Sequence, residues 1–294
     1  MKVIVTGGSG FLGSFLCERL RDRGHEVIVL DRAEPRWTPW AEWHPVDVGD
    51  PRSADLISEI GADAVINMAG LLGTAETFDW PQETVRVNTI GTITTLEACK
   101  RLGARYIGVE TGTPWLSPYA ISKRAATDFA RGYGEAFGLQ TSVLKVFNAY
   151  GPRQDGTGKV NKIVPRFAAN ALRGEPLPIF GDGRQVIDVC HADDVAECFA
   201  LALERAPGVG EVLQVGSGVP ITVLEVADRV LDLCGGGELE FLPRRLGEGQ
   251  EYPVADTTMI RNVLGFVPAP LDERLSETIE WYRTHVVEPA ATLS

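Results

Sequence analysis

The chain has 294 residues, enough for one large or two small domains with a sizeable core. Hydrophobic residues make up 44% and charged residues 23%, the balance of an ordinary soluble globular protein. The net charge of −12 argues against broad binding to nucleic acid or to an anionic membrane, since both need a basic face; it leaves room for one phosphate-bearing ligand held locally.

No apolar run reaches membrane-spanning length. The start, Met1-Lys2-Val3-Ile4-Val5, enters a strand and has no signal-peptide layout. Five cysteines (17, 99, 190, 198, 234) are scattered without CxxC spacing, which reads as the reduced thiols of a cytoplasmic protein. The histidines (25, 44, 191, 285) are isolated, so no metal site is expected.

In chain order, Val3-Ile4-Val5 is a short, β-branched, buried strand. A glycine-rich turn follows, then a helix with Phe11, Leu12, Phe15, Leu16 and Leu20 on one side. Strands follow at 26–30, 63–70, 104–110 and 140–148, with helices at 52–59, 79–102 and 118–137. Trp37, Trp40 and Trp43, at spacing three, cover the edge between the second and third strands; a stacking surface is the minor reading. Beyond 148 the pieces shorten. Helices are expected near 163–173, 193–205, 222–234 and 271–287, and strands near 178–180, 185–189 and 211–215. The last two strands are candidates to return to the main sheet, and the tail 288–294 is expected to fray. This pattern predicts an α/β fold, a doubly wound parallel Rossmann sheet with a smaller C-terminal α/β substrate-binding region. The division falls at 1–148 and 149–294.

Thr6-Gly7-Gly8-Ser9-Gly10-Phe11-Leu12-Gly13 joins the first strand to the first helix. Gly7 allows the tight turn, Gly10 lets a pyrophosphate approach the backbone, and Gly13 lets the helix sit close to the sheet. Asp31 ends the second strand, 18 residues beyond Gly13, where its carboxylate can accept from ribose hydroxyls and repel a 2′-phosphate. That favours NAD over NADP. Arg32, grouped with it as cofactor-binding, softens the preference.

Tyr119 and Lys123 are i and i+4 on one helix face. A lysine ammonium beside a phenol favours the phenolate, which can take a proton from a substrate alcohol, and the lysine can also bind ribose.

The chain resembles the extended short-chain dehydrogenase/reductase family, in particular its nucleotide-sugar epimerases and dehydratases, along nearly its whole length. The resemblance rests on TGGSGFLG (6–13), Asp31, DVGD (47–50), NMAG (67–70), VNTIGT (87–92), YAISK (119–123), VFNAYGPRQ (146–154), IFGDGRQ (179–185), HADDVA (191–196), and RRLGE (244–248) followed by ADTT (255–258). It implies that Phe11 and Leu12 cover the pyrophosphate and that Asp47 and Val48 meet adenine. Met68, Ala69, Gly70 and Leu72 would line the cofactor, Asn88 would support the active-site helix, and Phe147 would sit near the nicotinamide. Asn148, Lys162, Ile163 and Val164 would follow the sugar nucleotide, and Arg245 would bind its diphosphate. Thr111 matches the catalytic serine or threonine, with Thr113 as the competing register. The helices at 79–102 and 118–137 resemble those that pair in a family homodimer.

Two departures stand out. Thr111 and Tyr119 are only eight apart, where relatives place a long loop. Eight extended residues reach up to about 27 Å, so strand end and helix start can still meet. The pocket wall is then thinner, or another loop fills it. Also, Ile187 stands two residues after Gln185, where relatives often have an arginine; Arg184, three residues earlier, is kept as a substrate-binding candidate although on a strand it need not point the same way.

Dehydratases of the family carry acidic residues just after the catalytic threonine. Here Gly112 and Thr113 follow, and Glu110 would face the other side of the sheet. The resemblance therefore implies NAD-dependent C4 epimerisation of a nucleoside diphosphate sugar. A 4-keto-sugar reductase and a non-catalytic dinucleotide-binding protein are the alternatives.

Overall fold

A computed structural model describes residues 1–158, 160, 162–205, 209–249 and 253–287. The tail at 288–294 lies outside the described residues. The first half alternates strand and helix: β1 (Lys2–Thr6), α1 (Phe11–Asp22), β2 (Glu26–Asp31), β3 (Glu42–Pro45), α2 (Ser53–Ile60) and β4 (Ala64–Asn67). A helical run follows, made of α3 (Pro81–Val85), a π-helical turn (Arg86–Ile90) and α4 (Gly91–Leu102), then β5 (Arg105–Thr111), α5 (Pro118–Phe137) and β6 (Thr141–Val146). Shorter elements complete the chain: β7 (Ala149–Tyr150), α6 (Ile163–Arg173), β8 (Leu177–Phe180), β9 (Val186–Ile187), β10 (Cys190–His191), α7 (Ala192–Arg205), β11 (Val209–Val215), β12 (Ile221–Thr222), α8 (Val223–Cys234), β13 (Leu239–Leu242) and α9 (Leu271–Tyr282).

The main sheet has the order β11-β6-β5-β4-β1-β2-β3, and every pairing in it is parallel. Its strands are apolar on both faces because helices cover both. Val3 and Val5 pack with Leu16, Leu20 and Phe199 toward α1 and α7, while Ile4 packs with Ile57, Leu96 and Ala130 toward α2, α4 and α5. The strand order reverses between β1 and β4, so the crevice at their carboxyl ends is where ligands bind in open α/β sheets.

Of the two strands proposed to return to the sheet, β11 does so, parallel to β6. The 185–189 segment does not; its core, β9, pairs antiparallel with β12. It belongs to a second core in which Phe167, Ile179, Ile187, Val226, Val230, Ile279 and Tyr282 pack together. The parallel pair β8 and β13 flanks that core, and β13 was not among the expected strands.

Helix ends explain the short 111–119 connection. The Ser117 hydroxyl accepts the Ala120 N–H at 3.2 Å, and Pro118 occupies the first turn. A serine cap followed by proline starts a helix with no further lead-in, so Tyr119 falls in its first turn.

Trp43 lies in β3, its indole N–H donating to the Asp31 carbonyl at 3.0 Å. Trp37 meets the edge of Trp281 in α9, and the Arg21 guanidinium lies over Trp40. The five cysteines are free. Among the described residues no helix is long and apolar enough to cross a membrane.

Candidate active site

The glycine turn is closed by contacts that exclude side chains. Gly7 has φ +70°, and a Cβ there would lie 2.6 Å from the Ala69 backbone nitrogen. A Cβ on Gly13 would lie 2.2 Å from the Gly7 carbonyl oxygen, so α1 can approach the turn only because residue 13 is glycine. Ser9 N–H and Ala33 N–H both donate to the Asp31 carboxylate at 3.1 Å, which fixes it at the end of β2.

A cavity of about 270 Å³ runs from this turn along the carboxyl ends of the strands. Gly7, Gly10, Phe11, Leu12, Gly13, Asp31, Arg32, Asp47, Val48, Met68, Ala69, Gly70 and Leu72 all line it, as do Thr111, Tyr119, Lys123, Asn148 and Lys162. An anion-accepting helix amino terminus, a glycine cradle and a fixed carboxylate at the far end fit a dinucleotide.

Asn88 works from behind the wall. Its carboxamide accepts the Leu71 N–H at 2.8 Å and donates to the Leu71 carbonyl at 3.1 Å and to the Ser122 hydroxyl at 3.0 Å. Ser122 in turn donates to the Tyr119 carbonyl at 2.8 Å. The loop after β4 and the first turn of α5 are thus one hydrogen-bonded unit. Thr77 adds to it, accepting the Tyr119 N–H at 3.2 Å while donating to the Gly73 carbonyl at 2.7 Å. Nothing in the local sequence marks Thr77 for this; only the fold brings residues 73–77 against α5.

The Tyr119 phenol and the Thr111 side chain line the same cavity. Burial pushes the phenol above its ordinary value, and the Thr111 hydroxyl pulls it back toward ionisation. Lys123 is buried, and burial lowers its ammonium to about 8. Its Nζ donates to the Ala69 carbonyl at 3.4 Å, and a Cβ on Gly70 would lie 2.9 Å from it. In the chain alone, then, the lysine is directed at the cavity wall beside Gly70, and Thr111 is the group that favours the phenolate. The expected lysine effect on the phenol is not among the influences on it.

A second cavity, of about 100 Å³, adjoins the first, and Thr113, Asn148 and Lys162 line both. Ile163, Arg166, Phe180, Arg245 and Glu248 line the second. Burial and the Arg245 charge lower the Lys162 ammonium. Arg245 lies over the Phe180 ring, is paired with Glu248, and stands 3.8 Å from Glu76. The short connection itself supplies wall: Gly112, Thr113, Pro114 and Trp115 line the second cavity, and Gly249 abuts the Trp115 ring.

Three residues fall differently from expectation. Phe147 is buried and lines the second cavity, against Gly112, not the first. Val164 is packed in the core beside Phe167 and lines neither cavity. Arg184 is exposed on a turn, its N–H bonded to the Asp182 carboxylate, and also lines neither. Ile187 is wholly buried in the second core, where a charged side chain would have to be desolvated. Asp188, beside it, was not foreseen. It accepts from Ser217 N–H and Oγ–H, both at 2.7 Å, and from Gly218 and Ala255 N–H, both at 3.0 Å, tying three loops together.

Comparison with known proteins gives one consistent result. The model of the NAD dependent epimerase/dehydratase family matches residues 3–216. The chain is 32% identical to UDP-glucose 4-epimerase of Mycolicibacterium smegmatis, over 96% of this chain and 99% of that protein. It is also 32% identical to dTDP-glucose 4,6-dehydratase of Streptomyces niveus, over 96% and 93%. Its fold matches the crystal structure of UDP-glucose 4-epimerase with UDP-glucose from Thermotoga maritima with a TM-score of 0.90, at 29% identity and over 100% of both chains. The glycine cradle, the fixed Asp31 and the Thr111–Tyr119 pair are thus set in a chain that belongs to the NAD dependent epimerase/dehydratase family, of the extended short-chain dehydrogenase/reductase type.

Proposed function

We propose that the protein is an NAD-dependent nucleotide-sugar 4-epimerase with Tyr119 as its acid and base. The observation that carries this reading is the composition of the catalytic corner. Thr111, Tyr119 and Lys123 line one cavity, and no carboxylate follows Thr111. A Cβ on Gly112 would lie 2.6 Å from the Phe147 ring, so that position has no room for an acidic side chain. Glu110, expected on the other side of the sheet, lines the first cavity instead, but its carboxylate is tied to Lys145 on the neighbouring strand at 3.2 Å. Elimination of water needs an acid and a base beside the tyrosine; epimerisation does not.

In this reading the bound dinucleotide supplies oxidation and then re-reduction at the sugar carbon. Tyr119 takes the proton of the C4 hydroxyl as that carbon becomes a ketone. Thr111 hydrogen-bonds the same oxygen. The 4-keto sugar turns over, and Tyr119 returns the proton to the oxygen as C4 is reduced on its other face. Asn88 and Ser122 hold the tyrosine's helix against the loop at Leu71 throughout. Lys162, Arg166 and Arg245 give the second cavity the cations that a diphosphate requires.

The same reading divides the chain into an NAD-binding part, 1–148, and a substrate-binding part, 149–294. It includes a homodimer formed through α4 and α5, supported by the exposed apolar side chains Ile121, Phe129 and Phe137 on α5. It also includes a cytoplasmic location, supported by the free cysteines.

The test is proton NMR of the purified protein with a panel of UDP-, GDP-, dTDP- and CDP-sugars, beside Tyr119→Phe. Conversion of one sugar to its C4 epimer without net cofactor change, lost in Tyr119→Phe, is the expected result. Net consumption of NADH with a 4-keto sugar would assign a reductase instead. No turnover of any sugar by a protein that still binds NAD would overturn the enzymatic reading.

A further inference from the structure

The helical run between β4 and β5 is interrupted by the π-helical turn Arg86–Ile90. Such a turn widens the helix and redirects successive side chains, and π turns concentrate at functional sites. Here three consecutive residues serve three places. Asn88 grips Leu71 and Ser122 at the catalytic end. Val87 lines the middle of the first cavity. Arg86 is directed to the opposite end, where Asp31, Arg32, Asp47 and Val48 line the same cavity.

Arg86 is held on both sides. Its Nη2 donates to Asp47 Oδ2 and to Glu83 Oε1, each at 2.7 Å, and its Nε donates to Glu83 Oε2 at 2.6 Å. Asp47 Oδ1 accepts the Gly49 N–H at 2.9 Å. A Cβ on Gly49 would lie 2.3 Å from the Arg86 guanidinium, so the glycine is what admits the arginine. Both carboxylate oxygens of Asp47 are therefore fixed in direction, and each keeps a lone pair for a further donor. The Arg86 bond also holds the Asp47 carboxyl below its ordinary value.

We propose that Arg86 is a positioning residue for base recognition, fixing Asp47 as an oriented anionic acceptor for the exocyclic amine of adenine. This rests on the dinucleotide reading of the first cavity. Adenine presents a 6-amino donor. Hypoxanthine presents a 6-oxo acceptor at the same place, which a carboxylate repels. Arg86 thus makes the cavity selective for one purine edge without touching the base.

The experiment is fluorescence titration of the nucleotide-freed protein with NADH and with reduced nicotinamide hypoxanthine dinucleotide, for the wild type, Arg86→Met and Arg86→Lys. The wild type is expected to prefer NADH by about tenfold, the scale of a hydrogen bond to a charged group. Arg86→Met is expected to bring the two within about twofold of each other by losing affinity for NADH alone. Arg86→Lys, which keeps a cation beside Asp47, is expected to retain more of the preference than Met. Equal weakening of both ligands by Met would mean a merely structural arginine and overturn the proposal. So would a wild type without preference, or a lysine variant no better than Met. If Arg86→Met does not fold, Arg86→Gln is read the same way. A wild type that binds neither dinucleotide would overturn the cavity reading, and this proposal with it.

Discussion

The backbone N–H of Thr113 donates to the Thr111 hydroxyl at 3.1 Å. An oxygen that accepts from behind has its own proton free to point forward, into the cavity that it lines with the Tyr119 phenol. In the proposed reaction this relation distinguishes two threonines that the sequence left in competition. Thr111 would supply the hydroxyl, and Thr113 a backbone donor that any residue could provide.

From this, Thr111→Ala is expected to lower kcat by about 10²-fold, while Thr113→Ala, which keeps the N–H, stays within about threefold of wild type. Steady-state kinetics on the sugar identified by NMR checks both. Equal loss in the two variants would put the hydroxyl role on Thr113 as well.

Tyr119→Phe removes the proposed acid and base and keeps the ring. A fall in kcat of about 10³-fold is expected, with dissociation constants for NADH and for the sugar nucleotide changed less than about threefold. Parallel loss of binding and turnover would make the phenol a structural contact.

Burial of Lys123 gives stability a definite pH dependence. Its folded pKa, about 8, lies below its ordinary 10.5, so between these values the unfolded chain holds the extra proton. The contribution is therefore fully present above pH 10.5 and is lost as pH falls toward 8. Lys123→Met should accordingly be more stable than wild type at pH 7 by on the order of 1–3 kcal/mol, and the gap should narrow as pH is raised to about 9.5. Urea unfolding at several pH values measures this. A gap that does not change with pH would mean that packing, not charge, sets the difference.

Asp188 is wholly buried and receives three N–H groups and one hydroxyl. Asp188→Ala strands those donors and should cost about 3 kcal/mol or more, whereas Asp188→Asn, which keeps one carbonyl oxygen, should cost less. The midpoints of urea unfolding rank the two. An alanine variant as stable as wild type would mean that water replaces the carboxylate.

Much of this was legible in the sequence for a physical reason. Short β-branched runs such as Val3-Ile4-Val5 can be buried on both faces only in a parallel sheet covered by helices, so local pattern dictated the architecture. The glycines at 7 and 13, the acid at 31 and the Tyr119–Lys123 spacing are constraints within one or two turns of chain, where i and i+4 geometry suffices. Serine before proline at 117–118 likewise fixed where α5 begins, and with it the placing of Tyr119 in the cavity that Thr111 lines across so short a connection.

Other facts depended on segments far apart in sequence. No local signal brings Thr77 under Tyr119, Gly249 against Trp115, or Arg86 onto Asp47, because each pair is joined only once the sheet has ordered its loops. Arg184 and Val164 show the same limit from the other side. Both matched positions on a linear pattern, and three-dimensional packing turned one to solvent and the other into the core. The sequence by itself determined the sheet and the glycine cradle and marked the proposed catalytic groups, since these follow from backbone conformation and nearest-neighbour spacing. Only the tertiary structure decided how the Thr111 hydroxyl is held, which side chains line the cavities and which charges remain directed into them, since burial and hydrogen-bond partners are set by contacts between distant parts of the chain.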